Sequence, residues 1–237
     1  QDLFLFHRLT GQIEMVSVSP EGFPGDGPSG GGALSGSGRY VAFSSAAANL
    51  VPNDQNGLQD VFLRDLELKT TTRLSVGRNG AETDGLSDRP AMSRDGRYVA
   101  FHSAGATLVA NDRNGAFDVF VYDRETSQLE LASQTASGLR ANDDSAYPSL
   151  SADGRFVAFQ SWASNLEAGD ANFASDIFLR DRQLGLTRRI SVGNNRAAAN
   201  ADSSFPFVSA DGRFVVFESV ATSLIQGDTS LASDIFI

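Results

Sequence analysis

The run Arg97-Tyr-Val-Ala-Phe-His-Ser103 alternates, with Tyr98, Ala100 and His102 on one side and Val99 and Phe101 on the other. β-Branched and aromatic residues at period two predict a strand whose faces are both largely covered. Ahead of it, Ser93-Arg-Asp-Gly-Arg97 predicts a tight hairpin turn, because Asp-Gly supplies a side-chain acceptor and a residue tolerant of positive φ. The short segment Pro90-Ala-Met-Ser93 precedes that turn, and a proline at the first residue of a strand is well placed. Asp118-Val-Phe-Val-Tyr-Asp123 predicts a third strand and the alternating Gln128-Leu-Glu-Leu-Ala-Ser133 a fourth. The unit is four antiparallel strands, with no convincing helix.

This pattern recurs along the whole chain. Copies of the turn and second strand begin at Leu34, Met92, Leu150 and Val208, a constant spacing of 58 residues without gaps. In the same register stand Asp2-Leu-Phe, Asp60-Val-Phe, Asp118-Val-Phe, Asp176-Ile-Phe and Asp234-Ile-Phe. A fixed period of this kind makes each copy one structural unit. The expected division is a partial unit at 1–33, complete units at 34–91, 92–149 and 150–207, and a partial unit at 208–237. Four short strands in tandem with polar connections predict an all-β chain built as a β-propeller of four-stranded antiparallel blades. Phe43, Phe101, Phe159 and Phe217 are expected at equivalent buried sites between blades, and the first strand of each blade at the inner face.

The string Ser151-Ala-Asp-Gly-Arg-Phe-Val-Ala-Phe159, followed by Asp176-Ile-Phe-Leu-Arg-Asp181, resembles the WD40-like repeat of the TolB-type β-propellers. The likeness covers essentially the whole chain, although these units are longer than that family's usual blade. It implies a bacterial, extracytoplasmic protein (periplasmic, cell-surface or secreted) that binds other macromolecules. The fold itself also hosts assembly scaffolds and accessory domains of peptidases.

The extra length has a direction. With strands a to d antiparallel, the a–b and c–d turns share one face, and the b–c loop and the d-to-a crossover share the other. Here a–b (93 to 96) and c–d (124 to 127) are short, while b–c (104 to 117) and d–a (134 to about 146) are long. All the long loops therefore fall on one face, where loops on a rigid scaffold carry function.

Charge and composition narrow the partners. The 237 residues carry a formal net charge of −10 and no cysteine. Such a chain repels a phosphate backbone, which argues against nucleic acid, and it has no disulfide, thiol nucleophile or Cys-ligated metal. No apolar run reaches the length of a membrane span. Acidity leaves hard cations open.

Each b–c loop ends in a repeated pattern of oxygen-bearing side chains at its first, third and seventh positions. The sets are Asp54, Asn56 and Asp60; Asp112, Asn114 and Asp118; Asp170, Asn172 and Asp176; and Asp228, Ser230 and Asp234. The spacing resembles the opening of calcium loops but lacks the fifth-position carboxylate and the distant bidentate Glu. Two readings stay open, Ca²⁺ ligation and Asx turns that anchor strand c. Under the first, Ser230 makes the fourth copy the weakest. Gly57 and Gly115 give way to Phe173 and Leu231 in the third and fourth copies, so something other than glycine must hold the loop there.

The remaining recurrent polar residues read as structural. Arg39, Arg97, Arg155 and Arg213 open strand b, where they can pair with an acid or lie across a neighbouring blade; Asp65, Asp123 and Asp181 cap the c–d turn; Ser45, Ser103, Ser161 and Ser219 end strand b as backbone-bonding residues. His7 and His102 stand at non-equivalent positions and no Gly-x-Ser-x-Gly elbow exists, so no hydrolytic triad is assembled. Trp162 is expected to pack in a blade junction.

The sequence thus favours a non-catalytic platform for a protein or glycan. A structural envelope or filament component, assembling with copies of itself, and an accessory domain of a hydrolase are the alternatives. Both termini offer strand c, four whole repeats apart, at Asp2-Leu-Phe and Asp234-Ile-Phe. This predicts a segment of a longer array, or a spare strand that pairs with a neighbouring molecule.

Overall fold

The computed structural model describes every residue except 78, 79, 111, 113, 195 and 231. Its strands form five antiparallel sheets in sequence order. A two-stranded sheet comes first, β1 (Phe4–His7) with β2 (Gln12–Met15). Blade 1 is β3 (Ser29–Leu34), β4 (Tyr40–Ser45), β5 (Asp60–Asp65) and β6 (Thr70–Arg73). Blade 2 is β7 (Ser87–Met92), β8 (Tyr98–Ser103), β9 (Asp118–Asp123) and β10 (Gln128–Leu131). Blade 3 is β11 (Ser145–Leu150), β12 (Phe156–Ser161), β13 (Asp176–Asp181) and β14 (Leu186–Arg189). The last sheet has β15 (Ser203–Val208), β16 (Val215–Ser219) and β17 (Asp234–Phe236).

Two strands differ from their sequence expectation, each for a local reason. Strand a runs from Ser87 to Met92, so Pro90 lies inside it, not at its start. The register steps between Asp88 and Ala91, leaving an extra residue that needs no ladder partner, and the same step recurs in the other three copies. A proline without an N–H fits that bulge. One consequence is that Leu34, Met92, Leu150 and Val208, where the repeat was cut, are the last residues of strand a. Strand d stops at Leu131, because the next two residues turn inward. The Ser133 hydroxyl, in place of a backbone carbonyl, accepts the N–H of Val119 at 3.1 Å.

The cores lie between successive sheets. Phe43, Phe101, Phe159 and Phe217 are all buried in these junctions, each against a strand-c phenylalanine (Phe62, Phe120, Phe178 and Phe236) at 5.7 to 5.9 Å between ring centres. Ala42, Val61 and Leu63 of blade 1 meet Val99, Phe101 and Phe120 of blade 2, and the next junction repeats the arrangement with Ala100, Val119 and Val121 against Val157, Phe159 and Phe178. Backbone bonds stitch the same junctions on both faces. On the short-turn side Arg94 N–H donates to the Ala152 carbonyl (2.9 Å); on the long-loop side Ser145 N–H donates to that of Phe117 (2.6 Å).

The Asp-Gly turns at Gly96, Gly154 and Gly212 also press on an aromatic ring of the preceding blade (Tyr40, Tyr98 and Phe156). A Cβ at Gly154 would lie 2.3 Å from the Tyr98 ring, and its φ is +68°. Gly154→Ala is therefore expected to destabilise by about 2 to 4 kcal/mol, from the left-handed backbone and the ring clash together. Urea denaturation checks this.

Candidate functional site

The acidic loops build a repeated clamp at the start of strand c. Asp60, Asp118 and Asp176 are fully buried. In each, Oδ1 accepts the hydroxyl of Ser75, Ser133 or Ser191 at 2.5 Å. Their Oδ2 atoms face the amide N of Asn56, Asn114 and Asn172 at 3.0, 3.4 and 2.9 Å. The asparagine oxygens accept the N–H two residues on, from Leu58, Ala116 and Ala174, closing Asx turns. The amides also donate to carbonyls of the d–a crossover, at Thr83, Ala141 and Ala199, so both long loops do share one face.

A cation that the repeat pattern does not show completes two of the clamps. Arg73, the last residue of strand d, puts Nη1 3.0 Å from Asp54 and 3.5 Å from Asp60. Arg189 does the same at 3.0 Å from Asp170 and 3.1 Å from Asp176. In blade 2 the equivalent residue is Leu131, and Arg140 comes from the crossover to within 3.6 Å of Asp112. Burial pushes Asp118 up to about 6 and raises Asp54, Asp60 and Asp170. In the fourth copy, Asp228 Oδ1 accepts the Ser230 N–H, Ser230 Oγ accepts that of Ala232, and Asp234 is an exposed strand residue. Among the described residues no three His, Asp or Glu side chains converge as metal ligands. Phe173 takes φ +55° with its ring fully in solvent, so the loop adopts the left-handed turn without glycine; Leu231 lies outside the described residues.

Other expected residues fall into place. Arg39, Arg97 and Arg155 each clasp Asp65, Asp123 or Asp181 with two nitrogens, and those carboxylates also accept N–H groups of the c–d turn. The Arg97 guanidinium holds Asp123 down at about 2. Arg213 pairs with Asp211 at 3.9 Å and lies over the Phe214 ring at 5.3 Å. The four strand-b serines are buried and bond to the serine opposite on strand a (Ser29, Ser87, Ser145 and Ser203) at 2.8 to 3.0 Å. Trp162 is not in a junction: it stands just past strand b, with 42% of its surface exposed on the long-loop side.

The second recurrent constellation lies on strand a. Gly31, Arg89, Tyr147 and Phe205 occupy the bulge in the four copies, with φ of +62°, +55°, +53° and +50°. Three of them precede a proline (Pro90, Pro148 and Pro206), where the chain normally prefers an extended backbone. Left-handed conformation at a bulky residue costs about 1 to 2 kcal/mol and persists only where the surroundings enforce it. Here they form a ladder across three blades. The Arg89 guanidinium sits 5.5 Å from the Tyr147 ring centre, and Tyr147 meets Phe205 edge-on at 4.9 Å. These residues line a cavity of about 490 Å³ between the four strands a, together with the bare backbone of Gly31 and Gly32.

His102 anchors the ladder from behind. Its Nδ1 accepts the Tyr147 N–H at 3.3 Å, and its ring meets Phe117 and Tyr147 edge-on. Burial lowers its pKa to about 4, so the imidazole is neutral at pH 7. Ser44 donates to Asp88 Oδ1 at 2.6 Å, and that oxygen accepts the Arg89 N–H, which fixes the bulge.

Convergence of four strands a on one cavity, with cores between radially successive sheets, is the geometry of a propeller axis. No family model and no curated protein matches the chain. Solved structures do. TolB from Acinetobacter baumannii aligns with a TM-score of 0.53 at 18% identity, over 94% of this chain and 46% of its own. An oligogalacturonate lyase from Vibrio parahaemolyticus gives 0.51 at 13%, over 100% and 58%. The propeller domain of the trilobed protease from Pyrococcus furiosus gives 0.50 at 15%, over 81% and 48%. The fold is a β-propeller. The chain spans about half the length of these structures, and at such identities the likeness is one of fold alone.

Proposed function

We propose that this propeller is a non-catalytic, extracytoplasmic binding platform that takes a protein or glycan ligand at its axis. The observation that carries the reading is the ladder of Arg89, Tyr147 and Phe205. Three bulky residues hold a disfavoured backbone beside an open cavity, and such strain gathers at ligand-contacting positions. Aromatic faces with one guanidinium and few donors suit a ring-bearing or extended ligand, and the prolines keep backbone N–H groups out of that stretch of wall. A non-catalytic role is supported by the state of the nucleophile and base candidates. The strand-b serines are buried in hydroxyl pairs, and His102 is neutral with Nδ1 occupied. His7 sits apart at 3.6 Å from Glu14.

Peptide and glycan arrays probed with the wild type, and with a Tyr147→Ala, Phe205→Ala double variant, test this reading. Signals that vanish in the variant while its melting temperature stays close to wild type are expected. Signals of equal strength in both proteins would overturn the axial site.

A further inference from the structure

The three complete blades carry the same clamp but not the same cation, and the difference leaves a gap in one of them. In blades 1 and 3 a guanidinium nitrogen is fixed between two buried carboxylates, Asp54 and Asp60 or Asp170 and Asp176. In blade 2 the strand-d position is Leu131, which points into the junction core and offers no charge. The two carboxylates remain equally buried, Asp112 with 4% of its side chain exposed and Asp118 with none.

The substitute cation reaches only part of the way. Arg140 Nη1 halts 3.6 Å from Asp112 Oδ2, outside hydrogen-bond range, and is itself buried without a hydrogen-bond partner among the described residues. Its Nη2 is held by the Ala110 carbonyl. Asp112 Oδ1 has no hydrogen-bond partner among the described residues. Among the described residues the second oxygen of Asp118 has only the long 3.4 Å contact to Asn114. A buried carboxylate oxygen left bare is costly, and native proteins rarely tolerate one unless an ion or water serves it.

We propose that the clamp of blade 2 is a divalent-cation site of the calcium class, in which the ion stands where Arg73 and Arg189 stand in the neighbouring blades. Asp112 and Asp118 supply the anionic oxygens. The Asn114 amide, already against Asp118, can turn its oxygen inward as a third ligand at the cost of its bonds to the Ala116 N–H and the Ala141 carbonyl. Hard oxygen donors in a loop, with carbonyls and water filling the remaining positions, suit Ca²⁺ better than the stricter octahedron of Mg²⁺. Arg140, a quarter exposed, has solvent to move into when the ion enters. The site is independent of the axial ligand; the loops of blades 1 and 3 are predicted to stay silent because their cation is built in, and the fourth copy because Ser230 replaces the asparagine and Asp234 is exposed.

Calorimetric titration of the chelator-treated protein with CaCl₂ tests the proposal, beside thermal melts in EDTA and in calcium. One site per chain is expected, with a dissociation constant of about 1 mM or tighter and a melting temperature raised by calcium. Leu131→Arg installs the residue that blades 1 and 3 carry, and it should weaken binding at least about tenfold while keeping the fold. Asp112→Asn, which preserves shape, serves as a second variant and should do the same. Absence of heat and of any melting shift in the wild type at about 10 mM calcium overturns the proposal. So does a calcium response that survives undiminished in both variants.

Discussion

Replacing Arg189 by leucine, the residue that blade 2 carries at this position, is expected to lower the stability of the chain by about 3 to 5 kcal/mol. Arg189 is 7% exposed and its Nη1 lies within 3.1 Å of both Asp170 and Asp176, themselves 5% and 1% exposed. Removing the guanidinium leaves two buried carboxylates facing one another with Glu167 nearby, and the counterpart of Arg140 in this crossover is Ala198, which brings no charge. The loss comes from uncompensated charge and not from lost packing, which a second set of variants separates. Asp170→Asn and Asp176→Asn added to Arg189→Leu should return most of the deficit, with a coupling energy well above the few tenths of a kcal/mol seen between independent sites. Strict additivity in urea denaturation would mean that the arginine acts by packing alone.

Why the sequence revealed the clamp but not its arginine follows from how repeats are read. Matching copies exposes what is the same in every blade: the glycine of the a–b turn, the strand-b phenylalanine, the aspartate that opens strand c. Those positions fix the scaffold, and the structure places them as the periodicity implies. Arg73, Leu131 and Arg189 stand at one position with two chemistries, so a search for constancy passes over them. The same is true of Gly31, Arg89, Tyr147 and Phe205. Their shared left-handed backbone belongs to the bulge, which no single residue type announces, and the available signal was the proline that follows three of them. Read as a strand start, that proline hid the bulge. Trp162 was misplaced for a related reason. Its counterparts Ala46, Ala104 and Val220 are smaller, and strand b has already ended at Ser161. In this chain invariance marks what folds, and variation on an invariant backbone is where the proposed sites lie.

Acid should act on the axial ladder through His102, and comparison with His102→Gln isolates the effect. Glutamine occupies the equivalent site in blade 3, as Gln160, and is buried there, so the variant is expected to fold. The folded imidazole titrates near 4, against 6.5 for an unperturbed histidine. The unfolded chain therefore takes up the proton first. The stability contribution is complete above pH 6.5 and is lost as pH falls toward 4, by about 3 kcal/mol in all. Asp118 works in the opposite sense: raised to about 6 from 3.8, it favours the folded chain at low pH and loses that contribution as pH rises through 6. Absolute pH profiles mix the two, whereas the difference between wild type and variant cancels Asp118 when both are measured in chelator. That difference should move by about 3 kcal/mol in favour of the wild type between pH 4 and pH 7. The structural reason is specific. Nδ1 must accept the Tyr147 N–H, and once protonated it becomes a donor facing a donor. Tyr147 then loses its seat, and with it the contact that carries Arg89 and Phe205. A difference that stays constant across this range, or an imidazole that titrates near 6.5 by NMR, would show that His102 does not hold the ladder.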